Sequence, residues 1–280
     1  MASNDEQAAF WEELAPSWHA AEVHHERVSE PFGQAAMARL ELAAGHRVLD
    51  LGCGAGLTTV ALAEAVGPEG EVLGVDIAAA MLDPARATAD ARGLRSVRFE
   101  VADVQDADLG RATFDAVFSR FGVMFFSDPP RAFANIRRAL RPGGRLAFSC
   151  WQDVFANEWM FVPASAVVAV TGQLPPMPAP GDPGPFSLSD RDHVLALIEG
   201  AGFHDVTVTP VAQPLVSPAD GIDAVVELSR RVGPVREALR GADEDTAADL
   251  LTAVRAALEA RVADGELRLS AAALVVSARA

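Results

Sequence analysis

The sequence predicts an α/β fold in which helices cover both faces of a mostly parallel sheet. From Arg47 onward, short β-rich apolar runs alternate with helical stretches, as in parallel strands joined by helices. A glycine-rich turn follows the first of these strands, and acidic residues lie near the ends of the first three. With 280 residues, the chain is long enough for one large α/β domain with additions.

We divide the chain into an N-terminal helical lid (1–45), a core (46–150), a proline-rich insertion (151–189) and the rest of the core (190–280). If a helix begins near Pro16, Trp18, His25 and Val28 share one of its faces. Hydrophobic runs and turn residues then predict the elements of the core. The predicted strands are 48–51, 71–75, 97–101, 114–119 and 145–150, and the helices are 57–66, 78–92 and 130–140.

Two insertions interrupt this alternation. Six prolines between positions 175 and 185 exclude regular structure throughout 151–189, which we interpret as a lid over a binding site. A solvated surface linker is the alternative. Beyond a helix at 190–201 and a strand at 204–211, a helical insertion at 218–263 precedes a last strand at 271–278. For this second insertion we favour a packing or dimerisation layer over a substrate-binding role.

Composition excludes several classes of function. A formal charge of −16 argues against a nucleic-acid binder or a protein held on anionic lipid. Lysine and tyrosine are absent, which excludes Schiff-base, lysine-base and tyrosine-base chemistry. The polar, acidic start and the lack of an apolar run of about 20 residues predict a cytoplasmic protein. Cys53 and Cys150 are expected to be free buried thiols, and no metal site is predicted.

The strongest motif is the glycine turn Asp50-Leu51-Gly52-Cys53-Gly54-Ala55-Gly56, between a predicted strand and a predicted helix. Glycines at alternate positions remove Cβ atoms, so a ligand can lie directly against the main chain. A dinucleotide fingerprint requires glycine at position 57, where this chain has Leu57. The spacing therefore disfavours a nicotinamide-dependent oxidoreductase.

Acidic residues near three strand ends indicate a nucleoside without phosphates. Asp50 lies close enough to the glycine turn to meet the amino group of an amino-acid moiety. Asp76 can accept both hydroxyls of a ribose, a feature that by itself also fits NAD. Asp103 is placed to accept a hydrogen bond from an adenine amino group.

Several motifs resemble those of class I S-adenosylmethionine-dependent methyltransferases. They are Val48 to Gly56, Val75-Asp76-Ile77 with Met81, Ala102-Asp103, Phe114 to Val117, and Leu140 to Leu146. The similarity covers about 47–151 and is greatest to the ubiquinone/menaquinone-methyltransferase-like branch, which Ala201-Gly202-Phe203 before a strand also matches. It implies a Rossmann-like seven-stranded sheet in the order 3-2-1-4-5-7-6, with the last strand antiparallel. The long insertion between strands six and seven departs from that pattern.

The resemblance implies S-adenosylmethionine as cofactor, S-adenosylhomocysteine as product, and roles for individual residues. Gly52, Gly54 and Gly56 would pack against the methionine and ribose, with Asp76 on the ribose. Ile77 and Met81 would flank adenine, Asp103 with Val104 would read the adenine edge, and Ser119 and Phe121 would lie beside the cofactor. The alternative for Ile77 and Met81 is a purely structural role in the helix core.

The acceptor is expected to lie where large side chains follow the fourth and fifth strands. These are Arg120, Phe121, Met124, Phe125, Phe126, Trp151, Phe155, Trp159 and Phe161, with Trp18 contributed by the lid. Trp151 and Trp159 are the preferred contacts, Arg120 is suited to a carboxylate or phenolate, and several of the rings could instead fill the core. We predict His25 as a general base, the alternative being a structural or exposed histidine.

These interpretations predict methyl transfer to a small aromatic or lipophilic acceptor, with oxygen as the first choice and nitrogen or carbon next. An alternative is a methyltransferase-like protein that binds S-adenosylmethionine but catalyses another reaction such as a cyclisation, or that serves as a binding module. The only expected partner besides a homodimer copy is the small-molecule acceptor. Nucleic acid and membrane are not expected.

Overall fold

A computed structural model describes residues 4–174 and 182–280. Two helices precede the sheet, α1 (Asp5–Ala20) and α2 (Glu22–Met37). The predicted helix start near Pro16 is wrong, because Pro16 lies inside α1. Asp5 and Glu6 occupy the first turn, where negative charge is favourable at a helix N-terminus. The break between the helices falls at Ala21 instead.

The sheet has the predicted order, with one small strand added. Its strands are β1 (Arg47–Leu51), β2 (Glu71–Asp76), β3 (Val97–Val101), β4 (Phe114–Arg120), β5 (Leu140–Trp151), β6 (His204–Pro218), β7 (Val262–Ala263) and β8 (Glu266–Arg279). The order is β3-β2-β1-β4-β5-β8-β6, and two-residue β7 pairs with β8. The pairings among β1 to β5 are parallel, and β8 is antiparallel to both β5 and β6. The predicted order 3-2-1-4-5-7-6 is therefore confirmed, with β8 as its seventh strand.

The remaining helices connect or cover these strands. They are α3 (Leu57–Val66), α4 (Ala79–Ala91), α5 (Pro129–Ala139), α6 (Glu158–Thr171), α7 (Arg191–Gly200), α8 (Ile222–Arg231), α9 (Gly233–Leu239) and α10 (Glu244–Glu259). None of the helices in the described part of the chain combines the length and the apolar composition that a membrane crossing requires.

Strands β5, β6 and β8 are longer than predicted. The β6–β8 ladder runs from His204 opposite Arg279 to Pro218 opposite Glu266. The observed β6 contains Pro210 and Pro214, although proline interrupts most strands. An edge strand tolerates proline, because the missing N–H need not serve a neighbour on the open side. Prediction failed here because the position of β6 at the edge is a property of the whole sheet.

The two insertions share one apolar core. Segment 151–189 contains more regular structure than expected, because α6 occupies much of its first half, while the predicted loop at 175–181 lies outside the described residues. We call α6, α8, α9 and α10 the helical cap. Its buried side chains are Val162, Ala166, Val167, Ile222, Val225, Val226, Val235, Leu250, Val254 and Leu258. Burying these side chains against one another supplies the packing layer expected of the second insertion.

Helix α2 lies on the sheet face that also carries α3. Phe32 and Ala36 of α2 are fully buried, and Ala36 packs in one cluster with Phe118 of β4 and Ala147 of β5. Helix α1 packs mainly against α4. The two lid helices therefore lie over different parts of the sheet, α1 near β2 and β3, and α2 over β4 and β5.

Candidate cofactor and acceptor site

The glycine turn between β1 and α3 contains three glycines with different roles. Gly52, Gly54 and Gly56 have φ of 63°, 54° and 80°, in the left-handed region that favours glycine. A Cβ on Gly52 would lie 2.9 Å from Cα of Gly122, and a Cβ on Gly56 would lie 2.8 Å from Cβ of Ala85. A Cβ on Gly54 would meet nothing within 4 Å. Gly52 and Gly56 are thus required by packing within the chain, whereas Gly54 faces open space.

Asp76 lies at the end of β2, beside this open glycine. One carboxylate oxygen accepts a hydrogen bond from the Gly54 amide at 3.0 Å, and the other accepts from the Ala78 amide at 3.1 Å. Burial raises the pKa of Asp76, and the two amides oppose that shift. Asp76 therefore fixes the shape of the turn, and each of its oxygens retains a lone pair for a ligand hydroxyl.

Asp50 is fully buried on β1, beneath the glycine turn. Its Oδ2 accepts hydrogen bonds from the hydroxyls of Thr58 and Thr59, both at 2.7 Å, while Oδ1 is buried without a hydrogen-bond partner among the described residues. Burial raises the pKa of Asp50 to about 6, and the charge of Arg120 opposes the shift. A buried carboxylate with one unsatisfied oxygen is costly unless a cation compensates it. This arrangement fits a positively charged ligand above the turn.

Asp103, the third acidic residue near a strand end, is hydrogen-bonded to Asn4 at the start of the N-terminal lid. Asp103 Oδ1 accepts from Asn4 Nδ2 at 3.2 Å and from the Gln105 amide at 2.9 Å. Ser127 in turn donates to Asn4 Oδ1 at 3.0 Å. Val104 is buried in the main core, and its carbonyl accepts from Asn135. Asn4 and Gln105 were not predicted, because their roles depend on distant parts of the chain.

Helix α1 covers the predicted adenine side of the site. Met81 and Ala15 are both buried and share a small cluster with the partly buried Trp11 and Trp18. The main chain of Ala80 is also held by two α1 side chains, since Glu12 accepts from its amide and His19 lies 3.1 Å from its carbonyl. Met81 thus has the helix-core contacts that were the alternative to flanking adenine.

Ser119 lies in β4 and Phe121 directly follows that strand, and their side chains make different contacts. The buried Ser119 hydroxyl donates to the Leu51 carbonyl at 2.8 Å, which ties β4 to β1 next to the glycine turn. Phe121 has φ of 62°, unusual for a residue other than glycine, and its ring stacks on Trp151 at 3.8 Å. Ser119 therefore supports the turn, while Phe121 belongs to an aromatic cluster.

Two aromatic clusters lie near the strand ends. In the first, Trp151 contacts Phe121, Phe32 at 5.3 Å and Trp159 of the cap at 5.1 Å between ring centroids.

The second cluster belongs to the lid. His25 stacks on Trp18 at 3.8 Å, and Trp11 packs edge-on against Trp18 at 5.3 Å and Phe125 at 4.9 Å. The structure thus brings Trp18, His25 and Phe125 together, as it does Phe121, Trp151 and Trp159 in the first cluster. Trp11 and Phe32 were missed, although both are large apolar residues in the predicted helical lid.

Two residues predicted to line the acceptor pocket lie elsewhere. Phe155 is 74% exposed, in a short turn before α6, and Phe126 is buried in the core against Phe133. Met124 is almost fully buried, and its sulfur accepts from the backbone N–H of Trp151 at 3.3 Å, so it supports the main chain at that residue. The prediction is therefore wrong for Phe126 and Phe155, because strand-end position alone does not determine which side of the sheet a ring occupies.

Arg120 is already paired within the chain. Its Nη1 and Nη2 donate to Oε1 and Oε2 of Glu26 on α2, at 2.8 and 2.7 Å. Gly33 lets α2 approach this pair, since a Cβ there would lie 2.6 Å from Cδ of Arg120. In this structure the Arg120 guanidinium therefore binds a carboxylate of the chain itself, that of Glu26.

Comparison with known proteins places the chain in a family. A methyltransferase domain model matches residues 48–144. Trans-aconitate 2-methyltransferase of Deinococcus radiodurans is 31% identical over 218 residues, which are 76% of this chain and 79% of that protein. The aklanonic acid methyltransferase DauC of a Streptomyces strain is 39% identical over 134 residues, 48% of this chain and 60% of that protein.

The crystal structure of YcgJ from Bacillus subtilis has the same fold, with a TM-score of 0.57 and 20% identity over 89% of this chain and 97% of that one. This chain belongs to the class I S-adenosylmethionine-dependent methyltransferases. Three of the curated relatives, DauC among them, are matched over only 30% to 60% of their own length.

Proposed function

We propose that the protein transfers a methyl group from S-adenosylmethionine to an oxygen atom of a small, flat, largely apolar acceptor. The observation that carries this proposal is the open main chain at Gly54 between two buried carboxylates, Asp50 and Asp76. The aromatic clusters beyond it supply flat apolar surfaces suited to such an acceptor. The relatives aklanonic acid methyltransferase and trans-aconitate 2-methyltransferase are named for acceptors that are acids, which supports oxygen as the first choice.

Bound S-adenosylmethionine supplies an electrophilic methyl group on a sulfonium centre. Asp50 and Asp76 would balance its positive charge, Asp76 would hold the ribose, and the main chain at Gly54 would lie against the amino-acid portion. Helix α1 excludes water above these groups, and the aromatic clusters orient the acceptor for in-line attack. Direct displacement would form the O–CH₃ bond as the C–S bond breaks, with S-adenosylhomocysteine as the leaving group, so the residues of this chain need form no covalent bond to either substrate.

Transfer of label tests the proposal directly. The protein is incubated with S-adenosylmethionine carrying a tritiated methyl group and with planar phenols and carboxylic acids. Tritium is expected in a product whose new methyl lies on oxygen. Binding of the cofactor without transfer to any acceptor would favour the non-methylating alternative.

His25 is the proposed base for acceptors that must lose a proton. His25→Gln should lower kcat by about 10²-fold or more and flatten one limb of the pH–rate profile, because positioned bases contribute on that scale. His204→Gln is the control, since His204 is exposed at the start of β6. An unchanged rate and profile in His25→Gln would remove this residue from the mechanism.

Trp159 is proposed to contact the acceptor without contacting the cofactor. Trp159→Ala should raise the KM for the acceptor by about tenfold, the usual scale for losing one buried aromatic contact, and leave the Kd for S-adenosylhomocysteine unchanged. Phe155→Ala is the matched control, because Phe155 is a nearby aromatic residue that is 74% exposed. Calorimetry that shows both ligands lost would instead indicate that the variant is misfolded.

A further inference from the structure

The Arg120–Glu26 pair has the geometry of a ligand site filled by the protein's own side chain. Both guanidinium nitrogens meet both carboxylate oxygens, the bidentate arrangement that arginine makes with free carboxylates. The side chain of Arg120 is 16% exposed and that of Glu26 is 29% exposed. Arginine is therefore the fixed, inner partner, and the glutamate is the outer one.

A second polar group lies beside Arg120 and is not used within the described chain. Ser149 of β5 is the register partner of Arg120 on β4, and both side chains project toward the sheet face that α2 covers. Ser149 is fully buried, and its hydroxyl has no hydrogen-bond partner among the residues that the structure describes. Buried hydroxyls are normally satisfied, so this one indicates a missing acceptor.

We propose that Arg120 and Ser149 form a recognition site for a carboxylate of the acceptor, and that Glu26 occupies this site until the acceptor displaces it. The inference rests on the proposed function, since it names a chemical class for the molecule that is methylated. Once Glu26 is displaced, the ligand carboxylate accepts hydrogen bonds from both terminal nitrogens of the Arg120 guanidinium and a further one from the Ser149 hydroxyl.

The exchange is balanced in charge. Arg120 keeps one carboxylate partner throughout, and Glu26 moves from a partly exposed position into water, where its charge is well solvated. A phosphate dianion fits less well, because Asp50 already interacts with Arg120 and the whole chain carries −16. The site therefore favours a singly charged, planar anion.

The anchored carboxylate is separate from the methylated atom. Oxygens that accept hydrogen bonds from a guanidinium and a hydroxyl have their lone pairs engaged and are poor nucleophiles. Arg120 directly follows Ser119, which contacts the end of β1 beside the glycine turn. An acceptor held by Arg120 can thus extend a second oxygen toward the transferable methyl group.

A pair of isosteric probes tests the site without knowledge of the natural acceptor. Protein saturated with S-adenosylhomocysteine is titrated with trans-cinnamate or with neutral trans-cinnamamide, and tryptophan fluorescence reports binding near Trp151 and Trp159. Cinnamate is expected to bind at least about tenfold more tightly than the amide, the scale of one charge-assisted bidentate contact.

Three variants separate exchange at Arg120 from a general effect of charge. Glu26→Gln removes the competing carboxylate and should tighten cinnamate binding about fivefold, since the probe no longer displaces a full charge. Glu13→Gln is the matched control, because Glu13 is a lid glutamate that pairs with Arg236 of α9 and with Arg240 directly after that helix. Arg120→Gln should abolish the preference for acid over amide, and Ser149→Ala should reduce it.

Equal affinities for cinnamate and cinnamamide would overturn the proposal. The absence of cinnamate binding at about 10 mM would also overturn it. The proposal would likewise be overturned if Glu26→Gln bound cinnamate no more tightly than Glu13→Gln does. Retained binding of S-adenosylhomocysteine verifies that each variant is folded. Methyl transfer to neutral phenols is measured separately, so loss of the carboxylate site and failure of the proposed function give different results.

Discussion

Replacing Gly54 with alanine is expected to weaken S-adenosylmethionine binding by about 100-fold, equivalent to nearly 3 kcal/mol. The added methyl group would project into the open space that the proposed cofactor occupies, and it would meet no protein atom within 4 Å. The fold should survive, with a loss of about 1 kcal/mol for an alanine held at φ of 54°. Isothermal titration calorimetry and thermal unfolding measure the two effects on the same sample.

Gly93→Ala is the matched control for this substitution. Gly93 has φ of 66°, a Cβ there also meets nothing within 4 Å, and the residue lies just beyond the end of α4. Its alanine variant should lose similar stability and keep full cofactor affinity. Gly56→Ala should mainly lower the stability of the fold, whereas Gly54→Ala mainly lowers cofactor affinity. The reason is that a Cβ at position 56 would collide with Ala85 and Phe99. Equal losses of binding in Gly54→Ala and Gly93→Ala would contradict the assignment.

Asp50→Asn should remove much of the acid-range pH dependence of stability. Burial raises the pKa of Asp50 to about 6 from 3.8, so the folded protein holds this proton to higher pH than the unfolded chain does. The resulting stabilisation is fully present below about pH 4 and is lost as pH rises through 6, by about 3 kcal/mol. The asparagine variant lacks this loss, whereas the contribution of Asp76, whose pKa is raised in the same direction, remains.

The same carboxylate should link cofactor binding to protons. A ligand with net positive charge favours ionised Asp50, so the affinity for S-adenosylmethionine is expected to rise between pH 5 and 7, around the value of about 6 for this group. Calorimetry in two buffers of different ionisation enthalpy would detect the proton released. Asp83→Asn, at an exposed residue paired with Arg86, should bind as the wild type does. An unchanged pH dependence in Asp50→Asn would mean that the cation lies elsewhere.

The core strands and the glycine turn could be predicted because their signals are local. Strand β3 and helix α3 have the predicted limits, and β1, β2 and β4 each differ by one residue. Apolar runs bounded by glycine and aspartate define such elements within a few residues of sequence. The carboxyl ends of parallel strands lie at the same edge of the sheet. The sequence therefore also predicted that Asp50 and Asp76 lie near one another.

The partners of the site residues could not be predicted, because they come from distant parts of the chain. Arg120 and Glu26 are 94 residues apart, and Asp103 and Asn4 are 99 apart. No spacing or composition signal connects such pairs, since only the packing of α1 and α2 on the sheet brings them together. The joint core of α6 with α8 to α10 was missed for the same reason.

A crystal structure with S-adenosylhomocysteine would show whether the glycine turn after β1 binds the cofactor. We expect the ribose hydroxyls on Asp76, the amino-acid portion against the main chain at Gly54, and the sulfur directed toward Phe121 and Arg120. The same crystals should show whether α1 stays over Met81 when the ligand is bound. A ligand located away from the glycine turn, in protein that binds it in solution, would contradict the account.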